Sequence, residues 1–354
     1  EATTSTFTPE NRIHNSIIQY TLHPDQRPTP TGNPPLPPPP MEAVYNLNTW
    51  YDANRDLFNP PVCNKLQHKK QLTIMFVGGP NVRTDFHLEQ GSEFFWMVRG
   101  NMELPTIQNG QRKVVKIQEG QVFCLPSRIP HSPQRPETGS LGLVVERERY
   151  VDPEKLNGRA PELDGLRWFV DFDKTTGTDI LWEKFFHCYD LGRDLVPVVQ
   201  EYHASEEKTS RTPGPNVLTA AARPLVVNTT TVVPDPFDLM AWVDDHAVEM
   251  ATVPQGLNLF HHGVDHPDQE FHIYISGGLA KDTAVEYDAW AKGDTWLYQL
   301  KGSSAVAMRG NDRTNSQQLL KNVSGVVPPN EAFTLIHEEG SVVMMVRNDW
   351  EGNK

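Results

Sequence analysis

Two short stretches of the sequence hold histidines close to charged side chains. "DFHLEQGSE" holds Asp85, His87 and Glu93, and "IPHSPQR" holds His131 and Arg135. Two histidines and one carboxylate bind a first-row transition metal and leave coordination positions open for a substrate and O₂. His87, Glu93 and His131 are therefore candidate ligands of one metal site. Zinc or manganese would fit the same ligands, so these residues alone leave the metal open.

The elements that must position these residues are predicted to be strands. Short runs rich in β-branched and aromatic residues, separated by Gly, Pro or Asn, are typical of an antiparallel sandwich or barrel. These runs are 71–79, 93–104, 112–118, 121–127, 141–149, 271–278, 294–310, 333–339 and 341–348. Because side chains alternate along a strand, the three ligands can point into one barrel interior. Residues 182–207, with a break before Pro197, and residues 237–251 are predicted to be helical.

One aromatic strand occurs twice in the sequence. "EFFWMVRG" (93–100) resembles "TWLYQLKG" (295–302), 202 positions later. This similarity predicts an internal duplication, with two similar β-barrels in one chain. At the same offset, the ligand positions are occupied by residues that cannot hold a metal in this way: Ala289, Thr295 and Phe333. The second barrel is therefore predicted to be degenerate.

A histidine-rich stretch in the second half has the composition of a metal site. "LFHHGVDHPDQEFH" (259–272) contains four histidines and three acidic residues. It does not fall at the ligand positions of the duplicated pattern, so we predict that it is not a physiological metal site. The predicted domains are a proline-rich extension (1–45), a catalytic barrel (46–208), a linker (209–236) and a degenerate barrel (237–354).

Charge and composition exclude several classes of function. The formal net charge of −13 argues against nucleic acid or an anionic membrane surface as a partner. The sequence has no apolar run long enough to span a membrane and no apolar stretch typical of a secretory signal. Its three cysteines form no CxxC pair, which suits a reducing compartment. We therefore predict a cytoplasmic protein with a small-molecule partner.

The two histidine stretches resemble the paired motifs of the cupin superfamily. The motif positions are Gly79, Asp85, His87, Glu93 and Gly100 in the first stretch, and Gly120, Pro126, His131 and Arg135 in the second. Asp85 stands where the first histidine of the motif is usual, and Arg135 replaces an asparagine. The resemblance implies two cupin (jelly-roll) barrels with a few short helices, a mainly β fold. Loss of the first histidine leaves three ligands and room for a chelating substrate.

A narrower resemblance is to the animal 3-hydroxyanthranilate 3,4-dioxygenase family. It is carried by "PPVCNKL" (60–66), "MFVGGPNVRTDFHLEQGSEFF" (75–95), "LPSRIPHSPQRPETGSLGLVVERER" (125–149) and "ELDGLRWFV" (162–170). It implies Fe(II) as cofactor, held by the three ligands above. It also implies substrate contacts by Arg83, Arg135, Glu146 and Glu93, with Arg83 placed at the O₂ and catalytic position.

The activity implied by this resemblance is extradiol cleavage of 3-hydroxyanthranilate by O₂. The product would be 2-amino-3-carboxymuconate semialdehyde, the precursor of quinolinate in kynurenine catabolism and NAD biosynthesis. Two alternatives stay open: a metal-binding cupin acting on another aminophenol or catechol-type anion, and a non-catalytic bicupin for binding or storage. The second barrel is predicted to act as an internal partner in a monomer.

Overall fold

Strands make up most of the chain that the computed structural model describes. The described residues are 41–58, 63–149, 165–171, 180–188, 191–215, 217, 225–260, 270–309 and 316–348. They all belong to one unit that begins at Pro38. The proline-rich stretch 27–40 and most of the histidine-rich stretch, residues 261–269, lie outside the described residues.

The N-terminal barrel is built from a six-stranded sheet facing two smaller sheets. In pairing order, the six strands are β12 (Phe237–Asp238), β8 (Gln121–Leu125), β5 (Glu93–Arg99), β9 (Leu141–Arg147), β3 (Leu72–Gly78) and β2 (Asn64–Lys69). The smaller sheets are the hairpin β6 (Met102–Gln108) and β7 (Gln111–Ile117), and the trio β11 (Ile180–Phe186), β10 (Leu166–Asp171) and β4 (Phe86–Glu89).

The C-terminal barrel repeats this plan with a six-stranded and a four-stranded sheet. The larger sheet contains β1 (Glu42–Asn46), β19 (Val323–Val327), β16 (Thr295–Lys301), β21 (Val342–Asn348), β14 (Phe271–Gly277) and β13 (Leu257–Asn258). The smaller sheet contains β15 (Thr283–Tyr287), β20 (Phe333–His337), β17 (Ser303–Met308) and β18 (Gln317–Leu320).

The duplicated strand occupies the same place in both barrels. β5 pairs with β8 and β9, and β16 pairs with β19 and β21. Each copy ends on a glycine in the left-handed region, Gly100 with φ +69° and Gly302 with φ +67°, a conformation that favours glycine over residues with a side chain. The predicted mainly β fold with two cupin-type barrels and a few short helices is confirmed.

Each six-stranded sheet receives one strand from the other half of the chain. β1 pairs with β19, and β12 pairs with β8. Residues 42–45 of the predicted extension, together with Asn46, thus complete the C-terminal barrel, and residues 237–238 complete the N-terminal one. The domain boundaries drawn at 45 and 236 stay predictions.

The helices are short and connect the barrels or cover them. They are α1 (Leu47–Asn54), the 3₁₀ turn η1 (Arg55–Leu57), α2 (Leu191–Ala204), α3 (Glu206–Ser210), α4 (Leu239–Asp245) and α5 (Ala247–Met250). The helical prediction for 237–251 is confirmed for Leu239–Asp245 and Ala247–Met250. Within the described ranges, no helix is long and apolar enough to cross a membrane.

The helical prediction for 182–207 is wrong at its start and at Pro197. Residues 180–186 form β11, which pairs along its length with β10. The helix α2 begins only at Leu191 and continues through Pro197 rather than breaking before it. Cross-strand pairing with β10 therefore overrides the helical spacing of the aromatic residues in this segment.

Side chains that alternate along β5 face two different hydrophobic cores. Phe94 and Trp96 face a core shared by both barrels, where the Trp96 ring lies 5.1 Å from that of Tyr298. Phe95 faces the interior of its own barrel. Glu93 lies two residues before Phe95, on the same side of the strand, so its carboxylate also points into the barrel.

Candidate metal centre and its cavity

Three buried residues meet inside the N-terminal barrel. His87 lies on β4, where its neighbours Phe86 and Leu88 belong to a separate apolar cluster on the other side of the strand. His131 lies in the segment after β8 and exchanges two backbone hydrogen bonds with His87, at 3.0 and 2.9 Å. The two imidazole rings are 4.2 Å apart at their centroids. One ligand atom each from His87, Glu93 and His131 falls within a 4.8 Å group, and all three residues are buried.

The hydrogen bonds of His131 leave a lone pair facing a carboxylate. Its Nδ1 lies 2.9 Å from the carbonyl oxygen of Ile129, which can only accept, so Nδ1 carries the proton. The Nε2 lone pair then lies 2.9 Å from Oε1 of Glu93. Two acceptors at this distance require a proton or a cation between them. The Nδ1 of His87 likewise has no hydrogen-bond partner in the described structure. These atoms fit a bound metal ion, with the Ile129 carbonyl orienting one ligand.

Burial disfavours charge on all three residues. It lowers the pKa of His87 well below its ordinary value and lowers the pKa of His131 to about 4, so both imidazoles are neutral near pH 7. Burial and the nearby Glu146 carboxylate raise the pKa of Glu93. A divalent cation would reverse this penalty on the carboxylate, because opposite charge at close range favours the ionised form.

A second group of carboxylates beside the triad already has its cation. Glu89, Glu93 and Glu146 lie within 4.8 Å of one another at their oxygens, and all are buried. Arg149 donates from Nε to Glu89 at 2.5 Å and from Nη2 to Glu146 at 2.7 Å. Its guanidinium thus supplies positive charge to two of these three carboxylates. The candidate position for a metal ion is therefore the group that contains the histidines.

A cavity of about 580 Å³ is lined by two of the three candidate ligands, His87 and Glu93. Its polar lining also includes Arg83, Asp85, Arg135 and Glu146, and its apolar wall includes Met75, Val77, Phe95 and Val144. The helix α2 forms a further part of the wall through Leu191, Leu195, Val196 and Val199. Its volume is within the range of small-molecule sites, and its lining combines a flat apolar wall with convergent polar groups.

Arg135 is a buried cation that lacks a partner for part of its guanidinium. The residue is 2% exposed, and its Nε and Nη2 have no hydrogen-bond partner in the described structure. Burial lowers its pKa to about 10, which still leaves the group charged at neutral pH. A desolvated guanidinium that lines a cavity is suited to a carboxylate, which it can bind through two parallel hydrogen bonds.

Arg83 is held at the cavity wall by Asp85 and Gln134. Its Nε donates to both carboxylate oxygens of Asp85, at 3.0 and 2.9 Å, and its Nη2 also contacts Asp85. Asp85 additionally accepts a hydrogen bond of 2.6 Å from the indole of Trp168. The Gln134 side chain binds both the backbone N–H and the carbonyl of Arg83. The Arg83 side chain is 21% exposed, so it remains accessible from the cavity.

The sequence of the chain is similar to those of known proteins. Residues 41–203 match the family model described as 3-hydroxyanthranilic acid dioxygenase. The 3-hydroxyanthranilate 3,4-dioxygenase of Mus musculus is 38% identical over 309 residues, which cover 87% of this chain and 97% of that protein. The chain belongs to the 3-hydroxyanthranilate 3,4-dioxygenase family. The family-model match spans every candidate site residue named above.

Other members of the 3-hydroxyanthranilate 3,4-dioxygenase family match to the same extent. The Xenopus tropicalis enzyme is 39% identical and covers 86% of this chain and 98% of its own length, and the Homo sapiens enzyme is 37% identical with 87% and 97% covered. A solved oxalate decarboxylase of Bacillus subtilis covers 79% of this chain and 70% of its own at 12% identity and a TM-score of 0.36. That superposition is too loose to bear on function.

The C-terminal barrel of this dioxygenase-family chain has aromatic residues where the two histidines of the triad lie in the first barrel. Tyr287 is paired opposite Phe333, as His87 is opposite His131. The Tyr287 and Phe333 rings stack at 4.9 Å. The structural counterpart of His87 is therefore Tyr287 rather than the predicted Ala289. The segment from Tyr287 to Thr295 is two residues longer than the segment from His87 to Glu93. This difference shifts the sequence offset between the two barrels.

The residues around the cavity were predicted from the sequence, but the residues that bind and orient their side chains were not. The structure brings Arg83, His87, Glu93, Arg135 and Glu146 to one cavity and groups His131 with His87 and Glu93. It does not bring Asp85 into the group of ligand atoms; Asp85 instead binds Arg83 and Trp168. Trp168 was missed because its partner Asp85 is distant in sequence, and Arg149 was missed because one of its two partners, Glu89, is also distant. The one available signal for Arg149 was a charged "ERER" run at the end of a buried strand.

Proposed function

We propose that this protein is an Fe(II)-dependent dioxygenase that cleaves the ring of 3-hydroxyanthranilate. The observation that carries the proposal is the partly unpaired guanidinium of Arg135 lining the same cavity as the candidate metal ligands. 3-Hydroxyanthranilate has a carboxylate at one end and a neighbouring amine and hydroxyl along one edge. Its charge pattern matches a cavity with a buried cation at one position and a ligand triad at another.

The metal in this proposal is Fe(II), held by His87, Glu93 and His131. Two histidines and one carboxylate with open positions form the ligand set typical of non-heme iron oxygenases. When bound, iron supplies the Lewis acidity and the one-electron chemistry that allow O₂ to react with an aromatic ring. The Ile129 carbonyl keeps the His131 tautomer that offers Nε2 as a ligand.

The chain's own side chains orient the substrate in this proposal. Arg135 would bind the carboxylate, and Arg83, fixed by Asp85, would add a second positive group at the wall beside the reacting atoms. The aromatic ring would then lie against the apolar wall that includes Val77 and Phe95. Holding the ring in one orientation lowers the entropic part of the barrier, and water excluded by the wall strengthens each ionic contact.

Glu146 is placed to accept a proton from the substrate. Its carboxylate lines the cavity, and Arg149 donates to one of its oxygens at 2.7 Å. Arg149 is itself anchored by Glu89, so Glu146 is fixed in position. A substrate hydroxyl or amine at the ligand triad would lie beside this carboxylate, and loss of its proton makes the ring more electron-rich.

The overall reaction needs no added reductant. Both atoms of O₂ enter the product, and the ring C–C bond next to the hydroxyl-bearing carbon breaks. The product, 2-amino-3-carboxymuconate semialdehyde, closes to quinolinate when its amine condenses with the new aldehyde and water leaves. The protein would therefore supply the precursor of quinolinate.

We also propose that the protein acts as a cytoplasmic monomer. The core shared by the two six-stranded sheets supports the monomer, because each barrel covers the other's apolar face. The three cysteines are free and buried, which suits a reducing compartment.

Anaerobic reconstitution tests the metal and the substrate together. The metal-free protein is loaded separately with Fe(II), Mn(II) or Zn(II), mixed with 3-hydroxyanthranilate and exposed to air while the near-ultraviolet absorbance of the semialdehyde is followed. We expect product with Fe(II) and none with Zn(II). Fully iron-loaded protein that consumes neither substrate nor O₂ would refute the proposed function.

A further inference from the structure

The C-terminal barrel reaches back to the turn between the two ligand-bearing strands. Glu270, immediately before β14, accepts a hydrogen bond of 2.8 Å from the backbone N–H of Ser92 and one of 3.2 Å from its hydroxyl. Arg147 donates from Nε to the other Glu270 oxygen at 3.5 Å. Ser92 is the residue directly before Glu93.

This contact is tight and largely buried. Ser92 and Arg147 are buried, and the Glu270 side chain is 16% exposed. A Cβ added to Gly91 would lie 3.3 Å from Oε2 of Glu270 and 3.4 Å from Nε of Arg147. The carboxylate therefore fits against the turn at a point where glycine allows close approach. The turn joins the strand of His87 to the strand of Glu93, so its position sets the separation of two ligands.

The duplicated fold contains an equivalent contact at the corresponding turn of the C-terminal barrel. Gln71, immediately before β3, donates to Asn348 at 3.2 Å, and a Cβ on Gly293 would lie 2.2 Å from its Oε1. Gln71, Gly293 and Asn348 occupy the places of Glu270, Gly91 and Arg147 in the opposite barrel. At the Gly293 turn, the pair is two neutral amides, Gln71 and Asn348. At the Gly91 turn, between the strands of His87 and Glu93, the pair is a carboxylate and a guanidinium, Glu270 and Arg147.

We propose that Glu270 is a positioning residue for the metal ligand Glu93, supplied by the barrel that lacks ligands of its own. By fixing the Ser92 backbone, it would hold the Glu93 carboxylate toward His87 and His131. The C-terminal barrel thereby forms part of the metal site as well as part of the core. This inference rests on the proposed metal site, but it does not depend on which substrate is turned over.

Metal affinity is the readout that separates positioning from packing. Fe(II) affinity is measured anaerobically by competition with a colorimetric chelator for the wild type, Glu270→Ala, Glu270→Gln and the matched control Gln71→Ala. We expect affinity about tenfold weaker for Glu270→Ala, comparable to the loss of a group that orients a ligand. We expect partial rescue by Glu270→Gln, whose amide oxygen still accepts from Ser92, and wild-type affinity for Gln71→Ala.

Two results would overturn the proposal: wild-type affinity in Glu270→Ala, or equal weakening in Gln71→Ala, which would indicate general loosening between the barrels. If Glu270→Ala does not fold, Glu270→Asp replaces it, since it keeps the charge but shortens the side chain that reaches the Ser92 N–H. Weakened affinity in Glu270→Asp then supports the proposal, and unchanged affinity rejects it. Wild-type protein that binds Fe(II) without cleaving 3-hydroxyanthranilate would refute the proposed function alone.

Discussion

At the scale of single residues, the site is a set of groups that are incomplete without a ligand. The Nε2 of His131 faces the Glu93 carboxylate, and Arg135 has guanidinium nitrogens without partners. Buried polar groups are nearly always satisfied in folded proteins, so leaving these ones open costs stability. A metal ion and a carboxylate-bearing substrate would satisfy these groups. Binding would therefore offset the stability that the empty site loses.

Replacing Arg135 with Gln should weaken substrate use and spare the metal. A hydrogen bond to a charged group contributes about 1.5–3 kcal/mol, so kcat/KM for 3-hydroxyanthranilate should fall roughly 10- to 100-fold. Iron content, measured by mass spectrometry of the metal, should stay at the wild-type level.

The control for this prediction is a substrate without the carboxylate. With 2-aminophenol, wild type and Arg135→Gln should have similar kcat/KM, because neither can form the ion pair. An equal loss with both substrates would show that Arg135 acts on something other than the carboxylate.

Metal binding should weaken as the pH falls. The raised pKa of Glu93 means that the metal-free site holds a proton near neutrality, which the metal must displace. Below about pH 4, protonation of His131 would remove a second ligand. Titration calorimetry in buffers with different ionisation enthalpies should therefore detect proton release on Fe(II) binding near pH 7. Binding without proton release would show that Glu93 is ionised in the metal-free site.

At the scale of secondary-structure elements, β4 and β5 carry two of the proposed metal ligands, and α2 forms part of the cavity wall. Only one face of α2 lines the cavity, through residues that include Leu195 and Val199. Arg193, on the same helix, is exposed. The helix therefore limits the space available to the substrate, whereas the candidate metal ligands lie outside the helix.

Enlarging Val199 should restrict the cavity. Val199→Trp places an indole in the space proposed for the substrate ring, so kcat/KM should fall at least about tenfold while iron content stays normal. Arg193→Trp, on the exposed part of the helix, is the matched control and should keep wild-type kinetics. Normal kinetics in Val199→Trp would place the substrate elsewhere.

The elements differ in how far the sequence could predict them. β5 and β16 were predicted because their alternation and glycine endings are local features, and the ligand spacing depends on those strands. β11 was predicted as helix because its aromatic spacing is ambiguous until β10 is placed beside it. The roles of Asp85 and Arg149 also depend on tertiary contacts, with Trp168 and with Glu89, that no local pattern contains.

At the scale of the whole molecule, the two barrels form one folding unit. Trp96 and Trp296 come from opposite barrels and pack in the same core around Tyr298. Strands β1 and β12 cross between the sheets and add backbone hydrogen bonds to this association. The second barrel can thus lack ligands and still be required for the first to fold.

Truncating Trp296 tests this dependence. Trp296→Ala should lower the free energy of unfolding by about 3–5 kcal/mol, as expected for a large buried aromatic residue. Urea unfolding followed by circular dichroism measures this change, and Val248→Ala, at a side chain 84% exposed, should change stability little. A cost below about 1 kcal/mol for Trp296→Ala would contradict a shared core.

Mass spectrometry of the product formed under ¹⁸O₂ tests the proposed function most directly. Iron-loaded protein given 3-hydroxyanthranilate should yield a semialdehyde with two ¹⁸O atoms, because both atoms of O₂ enter the cleaved ring. Quinolinate formed from it should keep one, since closure expels the aldehyde oxygen as water. Ring-opened product without ¹⁸O, or a product with the ring intact, would contradict the assignment of this chain as a ring-cleaving dioxygenase.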